Sequence, residues 1–227
     1  VEYTNWGPPF ENVENFRTFC AVSVKHCIYF FRKCKRIRRG EPIYLVKFNT
    51  LTQNVENVLQ VNDGEFPTFP REYYELVQLE HKIYIVCGKY EEGKYTNDIH
   101  TFDTISETFS KLPCAGQVPP PTIRHQANLR YDAKTNAHQI ILSFGYSSSY
   151  SNSIYIYNLK NLEWVLVEPS SQTKPDTRMN HTAVYCPAND SLFIQGGYCE
   201  LKDFWSFNFQ TLTWTELHFE NQDEISQ

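Results

Sequence analysis

Apolar residues recur along the chain in short runs that alternate with polar positions, which is the pattern of half-buried β-strands. The runs IYIV at 83–86 and IYIY at 154–157 are rich in β-branched and aromatic residues and end at turn-forming residues. No stretch keeps a 3.6-residue apolar period beyond two helical turns. The pattern therefore predicts an all-β protein.

One arrangement of strands and turns is repeated four times. In each copy an aromatic residue stands seven positions before a second bulky residue, and Asn or Asp follows the first aromatic. The four pairs are Phe48 and Val55, Phe102 and Phe109, Tyr157 and Trp164, and Phe207 and Trp214. Successive copies are offset by 54, 55 and 50 residues. Four short strands in a period of about 50 residues are typical of a propeller blade.

A second set of repeated positions precedes these pairs. Arg17, Arg71, Thr122 and Arg178 each stand three residues before Cys20, Tyr74, His125 and His181. Together the two sets delimit four units at about residues 17–60, 71–114, 122–169 and 178–219, each with four strands, a to d. The Asn or Asp is predicted to form the c–d turn, because its side chain bonds its own backbone. His125 and His181 share one position, so a structural role with a satisfied hydrogen bond is expected for both.

An apolar run that ends in a glycine doublet, followed by an aromatic strand and a spaced Trp, resembles the kelch repeat. The fourth copy is the best match, and the structural repeat positions are Gly88, Gly145, Gly196, Gly197, Phe109, Trp164 and Trp214. The second and third copies keep one glycine each, and Arg32 and Lys33 replace both in the first. A single lost glycine is expected to be absorbed by a shifted bend.

The resemblance implies an all-β, kelch-type β-propeller. Kelch-type propellers close with five to seven blades, so the four visible blades are expected to be part of a larger propeller. Completion of the ring by other chains is the alternative. Residues 1–16 are expected to be the outer strand and linker of a preceding blade, because Trp6 stands near the position of a repeat Trp.

The resemblance also implies a non-catalytic module for protein–protein interaction, for example the substrate-recognition component of a ubiquitin ligase. A scaffold subunit of a larger assembly is an alternative, and a propeller enzyme is a less favoured one. The chain contains no GxSxG, P-loop or GxGxxG motif, and its seven histidines have no metal-ligand spacing. We therefore expect no enzymatic activity, no cofactor and no metal site.

The cysteine content and the hydropathy of the chain indicate the cellular compartment in which the protein is expected. Seven cysteines, an odd number without a CxxC pair, are expected to be free thiols in a reducing compartment, the cytoplasm or the nucleus. No apolar run reaches the length needed to span a bilayer, so a membrane partner is not expected. The oligomeric state is left open.

A dense basic cluster is the one unusual charge feature of the chain. The formal net charge is −5, and it would be −11 without the six basic side chains between residues 32 and 39. These are Arg32, Lys33, Lys35, Arg36, Arg38 and Arg39. The repeat assigns them to the b–c loop of the first unit. In a four-stranded meander, b–c loops and d–a connections emerge at one face, and kelch-type propellers use this face for partners.

Three interpretations of the basic cluster are open. It is hypothesised to dock an acidic peptide or an acidic protein surface, since divergent loops on a rigid scaffold commonly carry binding specificity. A solvated loop without contacts is the second interpretation, and a nucleic-acid or nuclear-import patch is the third. A single patch without interleaved aromatic residues, on a body with a pI of about 5.8, is a poor nucleic-acid footprint.

Overall fold

The computed structural model describes residues 20–32, 43–61, 71–89, 94–198 and 201–218. These residues form strands, turns and loops, and no helix occurs among them. The strands are β1 (Ala21–Val24), β2 (Cys27–Arg32), β3 (Ile43–Asn49), β4 (Val55–Val61), β5 (Glu75–Leu79), β6 (Lys82–Lys89), β7 (Tyr95–Asp103), β8 (Thr108–Lys111), β9 (Ala115–Gly116), β10 (Gln126–Asp132), β11 (Ala137–Tyr146), β12 (Tyr150–Asn158), β13 (Glu163–Val167), β14 (Thr182–Cys186), β15 (Ser191–Gln195), β16 (Phe204–Asn208) and β17 (Thr213–Leu217).

The strands form four antiparallel sheets, each a meander in chain order. Blade 1 is β1 to β4, blade 2 is β5 to β8, blade 3 is β10 to β13, and blade 4 is β14 to β17. Four-stranded sheets at this period confirm the predicted kelch-type propeller fold. The size of the ring stays a prediction, and the outer strand predicted within residues 1–16 lies outside the described residues.

The c–d turns follow one side-chain pattern in all four blades. In each turn a single Oδ1 accepts hydrogen bonds from the backbone N–H groups two and three residues later, at 2.8–3.3 Å. The acceptors are Asn49, Asp103, Asn158 and Asn208. This bonding replaces the ladder where strand c ends, which is why the repeat keeps Asn or Asp there.

The repeated aromatic pairs join strands c and d. In blades 2, 3 and 4 the two rings are cross-strand partners with centroids 4.8, 5.0 and 4.9 Å apart. The pairs are Phe102 and Phe109, Tyr157 and Trp164, and Phe207 and Trp214. Trp164 and Trp214 are almost fully buried, so these positions serve packing.

The hydrophobic cores lie between neighbouring blades. The inner strands β1, β5, β10 and β14 contact one another in that order. Along β6, Ile83 and Ile85 pack in one cluster with blade 1, whereas Tyr84 and Val86 pack in another with blade 3. A third cluster joins blade 3 to blade 4. The two-residue period of a strand thus supplies blades 2 and 3 with two buried faces each.

The two described d–a connections, before blades 3 and 4, run along the outer edges of the blades that follow them. Before blade 3, β9 adds a short parallel strand to β13, and the N–H of Gln117 donates to the Trp164 carbonyl at 2.8 Å. Before blade 4, the N–H of Ser170 donates to the Leu212 carbonyl at 2.7 Å. Covered edges do not offer unpaired backbone groups to other strands. The outer edges of blades 3 and 4 are therefore partly covered by these connections.

Candidate protein-binding face

Near the end of strand b, each of blades 2, 3 and 4 has a glycine that no other residue can replace easily. Gly88, Gly145 and Gly197 have φ values of 112°, 107° and 130°. A Cβ there would lie 2.8, 2.8 and 3.0 Å from the backbone oxygens of Glu72, Ile123 and Met179, respectively. These oxygens belong to the segment that opens strand a of the same blade. Glycine is thus required by both conformation and close approach.

The first position of the glycine doublet, directly before the obligatory glycine, accepts larger residues. Cys87, Phe144 and Gly196 occupy it, with φ values of 50°, 55° and 64°. The expected shift of the bend does not occur, because the two larger residues adopt the left-handed conformation themselves. Their side chains are buried in the inter-blade clusters, and this packing offsets the conformational cost. In blade 1, Arg32 ends β2 at this position, paired with Tyr44.

The repeated arginines are buried structural residues. Both outer nitrogens of Arg178 donate to the Asp203 carboxylate, at 2.7 and 2.6 Å, and one also donates to the Gly196 carbonyl at 3.1 Å. The Arg178 bonds hold the pKa of Asp203 below its usual value. In blade 2 the equivalent bond joins Arg71 to Asp98 at 2.6 Å. These pairs fix the start of strand a against strand c.

Sequence reasoning identified the arginines and missed the aspartates. Asp98 and Asp203 each stand four residues before the strand c aromatic, and this regular spacing was the available signal. Blade 3 has Thr122 and Ser153 at the two positions, so it lacks the buried charge pair and is neutral there.

The two repeated histidines are buried and uncharged at neutral pH. Nε2 of His181 lies 3.1 Å from Oγ of Ser143, which confirms the expected hydrogen bond. Burial, followed by the nearby Arg178 charge, lowers the pKa of His181 to about 3. Burial also lowers the pKa of His125 to about 4. A backbone interaction with Val86 opposes this shift, but neither ring nitrogen has a partner of good geometry among the described residues. A fully satisfied hydrogen bond thus stays a prediction for His125.

The b–c loops and the d–a connections lie on one face and are tied to each other. The side-chain amide of Asn97 donates to the Pro119 carbonyl at 2.8 Å, and that of Asn152 donates to the Pro175 carbonyl at 2.9 Å. Each asparagine lies near the start of strand c, and each proline lies in the connection to the next blade. The backbone N–H of Gly145 also donates to the Arg178 carbonyl at 3.1 Å. We call this surface the loop face.

A groove of about 300 Å³ opens on the loop face beside the b–c loop of blade 3. Its walls are the loop residues 147–153 and the connection residues Pro119, Pro120 and Thr177, and its floor includes Leu142 and Phe144. None of the lining side chains is charged at neutral pH. The groove is therefore a neutral, hydroxyl-rich surface.

Four tyrosines form a row across the loop face from blade 2 to blade 4. Ring centroids are 6.2 Å apart for Tyr95 and Tyr146, 5.4 Å for Tyr146 and Tyr150, and 6.3 Å for Tyr150 and Tyr198. Tyr150 is 39% exposed and Tyr198 is 55% exposed. Tyr150 also lines the groove, so the row and the groove form one continuous surface.

The tyrosine row was not predicted, although the repeat contains a signal for it. Tyr146 and Tyr198 both directly follow the obligatory glycine. Tyr95 and Tyr150 both begin strand c, opposite the residue that follows the glycine. Equivalent positions in successive blades lie side by side, and this places the four rings together.

A positively charged side chain, Arg124, precedes strand a of blade 3 and is held in place by its neighbours. The guanidinium of Arg124 lies 4.8 Å from the ring centroid of Tyr73, and its Nη1 lies 3.9 Å from Sδ of Met179. The equivalent residues in blades 2 and 4 are Tyr73 and Asn180. All three residues directly precede the repeated position of Tyr74, His125 and His181, and all three have φ of 55–56°. Cation–π contact orients the arginine.

The predicted basic cluster lies almost entirely outside the described residues. Only the backbone of Arg32 is described, at the end of β2. Within the described ranges no group of three or more His, Cys, Asp or Glu side chains is arranged to hold a metal ion. No helix in that part of the chain is long and apolar enough to cross a membrane.

Comparisons with known proteins agree with this architecture. Host cell factor homolog hcf-1 of Caenorhabditis elegans is 27% identical over 178 residues, covering 70% of this chain and 22% of that protein. Tip elongation aberrant protein 3 of Schizosaccharomyces pombe is 25% identical over 154 residues, covering 65% and 11%. Human host cell factor 1 is 26% identical over 162 residues, covering 60% and 8%. The chain thus spans at most 22% of the length of these relatives.

A sequence model of one family covers most of the chain. The model described as the Attractin/LZTR1 beta-propeller matches residues 35–226, which include all of blades 2, 3 and 4. The glycine bends, the c–d turns and the inter-blade cores fit the kelch type of this fold. The chain belongs to the Attractin/LZTR1 β-propeller family.

Proposed function

We propose that this protein is a non-catalytic interaction module that presents its loop face to a protein partner. The observation that carries the proposal is the Tyr- and Ser-rich loop at 146–153, held over a neutral groove beside exposed rings. Tyrosine gives large contact area at low entropic cost, and serine and asparagine give adaptable hydrogen bonds, the composition of many binding loops.

The rigidity of the loop supports the proposal. Its end is held by the bond from Asn152 to Pro175, and the carbonyl of Ser151 accepts a bond from the N–H of Arg178 at 3.0 Å. The N–H of Ser153 donates to the Ser151 hydroxyl at 3.0 Å. A preorganised loop loses little conformational entropy on binding, and this raises affinity for a given contact area.

The basic b–c loop of blade 1 is proposed to belong to the same face. Its six charges would attract an acidic peptide or protein surface and speed association. A substrate-recognition role in a ubiquitin ligase, in the cytoplasm or the nucleus, is the more specific form of the proposal. It derives from the kelch resemblance.

A scaffold subunit of a larger assembly is the second candidate. Val184 on the inner strand of blade 4 is 58% exposed, and it alternates with Ala183, which packs against blade 3. Val184 therefore lies on the sheet face directed away from blade 3. Val184 pairs across the ladder with the partly buried Phe193, whose ring centroid lies 5.9 Å from that of Phe204. An exposed apolar patch on this face favours contact with a further subunit or blade.

The test compares the loop face with the opposite face of the propeller. Tyr150→Arg alters the row and the groove together, and Ile105→Arg is the matched control. Ile105 lies in a c–d turn on the opposite face and is 74% exposed. Partners are captured on the immobilised chain and quantified by mass spectrometry.

We expect Tyr150→Arg to reduce recovery of a specific partner at least about tenfold, as for an interface hot spot. Ile105→Arg should leave that recovery unchanged. Loss with the control but not with the loop-face variant would refute the proposed face. A partner whose recovery neither variant changes, in particular a second copy of this chain, would favour the scaffold candidate.

A further inference from the structure

The groove offers hydroxyl donors and no charge. Ser148 and Ser149 are exposed on its wall, and Tyr150 adds a phenolic hydroxyl. Leu142 and Phe144 on the floor are only 2% and 3% exposed, so they give little accessible apolar surface. Such a surface suits a ligand rich in carbonyl acceptors, and it offers no oppositely charged side chain to a carboxylate or an ammonium group.

The exposed rings add flat apolar surfaces next to these donors. The rings of Tyr150 and Tyr198 are nearly parallel, with an interplanar angle of 29°. Parallel rings along a surface favour ligands with several flat or compact apolar groups in succession. A ligand that docks as an amphipathic helix needs a continuous apolar groove. The walls of this groove carry hydroxyl groups, so it does not suit such a helix.

One class of peptide combines both requirements. A proline-rich segment in the polyproline II conformation exposes backbone carbonyls, has few N–H donors and carries compact apolar rings. Aromatic-lined grooves recognise such segments because the extended helix is already formed and little entropy is lost on binding.

We infer that the tyrosine row and the groove beside it bind an extended, uncharged, proline-rich peptide segment of a protein partner. The inference rests on the proposed function and deepens it, since it assigns the chemistry of the segment that the loop face takes. Prolines pack on Tyr150 and Tyr198, and the hydroxyls of the groove donate to the carbonyls of the segment.

The test uses fluorescein-labelled peptides and the complete chain. Decaproline is the probe, and a ten-residue Gly-Ser peptide and decaglutamate are the comparison peptides. Binding is measured by fluorescence polarisation for wild type, Tyr150→Ala, Tyr198→Ala and Tyr150→Phe, with Ile105→Ala as the matched control. Near-ultraviolet circular dichroism of each variant establishes that the fold is retained.

We expect decaproline to bind more tightly than the other two peptides. Each Tyr→Ala variant should weaken its binding about 3- to 10-fold, the range for loss of one aromatic contact. Tyr150→Phe should fall between wild type and Tyr150→Ala, because it keeps the ring and loses the hydroxyl. Ile105→Ala should bind as wild type does.

Two results would overturn the inference. Decaproline binding no tighter than the Gly-Ser peptide would do so, and so would equal decaproline affinity in wild type and both alanine variants. Either result combined with Tyr150-dependent capture of a protein partner leaves the proposed function standing and removes only the peptide class. Decaglutamate binding that is insensitive to Tyr150 would place recognition on the basic loop.

Discussion

The two positions of the glycine doublet should respond very differently to alanine. Gly145 at the second position has φ of 107°, and its Cβ would lie 2.8 Å from both the Ile123 carbonyl and Oγ1 of Thr122. Gly196 at the first position has φ of 64°, and its nearest neighbour would be the Leu201 carbonyl at an ordinary 3.6 Å. Gly145→Ala in blade 3 and Gly196→Ala in blade 4 therefore compare the second and the first position of the doublet.

The expected magnitudes follow from these contacts. In Gly145→Ala the backbone strain costs about 1–3 kcal/mol. Relief of the clash also stretches the two hydrogen bonds between Ile123 and Tyr146, of 2.9 and 3.0 Å, at about 1 kcal/mol each. The total is a loss of about 3–5 kcal/mol. In Gly196→Ala the left-handed conformation costs about 1–2 kcal/mol, and a less flexible unfolded chain returns about 0.4–1 kcal/mol.

The assay is equilibrium unfolding in urea followed by tryptophan fluorescence, because Trp164 and Trp214 are buried in the inter-blade cores. The free energy of unfolding should fall by about 3–5 kcal/mol for Gly145→Ala and by about 0–1.6 kcal/mol for Gly196→Ala. Equal losses in the two variants, or a near-neutral Gly145→Ala, would refute the assignment of the second position as obligatory glycine.

Two further predictions concern acid stability and the basic loop. Burial lowers the pKa of His181 to about 3, and it also lowers the pKa of the buried His100 in blade 2 and His125 in blade 3. Below the unfolded histidine pKa of about 6.5, the unfolded chain therefore binds more protons than the folded chain. The stability that the neutral histidines contribute should be fully present above that pH and fall toward acid. Glu75 opposes this fall, because burial raises its pKa to about 7 and the folded chain therefore binds this proton first. Urea unfolding measured over a pH series should show a smaller acid-induced loss of unfolding free energy in His181→Gln than in wild type. An identical loss in the two proteins would contradict the prediction. The basic loop is tested by the triple variant Arg36→Glu, Arg38→Glu and Arg39→Glu. This variant should bind an acidic partner more weakly than wild type, and its affinity should depend less on salt concentration. A salt dependence equal to that of wild type would contradict the docking role.

The features predicted from sequence are those set by local chemistry. The strands follow from alternation, and each c–d turn follows from one Asn or Asp that bonds its own backbone within three residues. The aromatic pairs could also be located, because Tyr157 and Trp164 face each other across a single tight turn. Such interactions are contained within one repeat unit, so a sequence period reveals them.

The features that were missed depend on residues brought together from different units. Tyr95, Tyr146 and Tyr198 lie about one repeat apart in the chain, and only the ring geometry makes them neighbours. The left-handed conformations of Cys87 and Phe144 were missed for a related reason. Local preference disfavours them, and burial against the next blade outweighs that preference.

The position of the cores between blades has a consequence for how the sequence can vary. Ile83 and Tyr84 are adjacent in the chain, yet they serve different junctions, one with blade 1 and one with blade 3. A change in volume at either residue must be accommodated by the neighbouring sheet. Compensating substitutions should therefore pair across junctions, about one repeat apart, and two residues next to each other on one strand should vary independently.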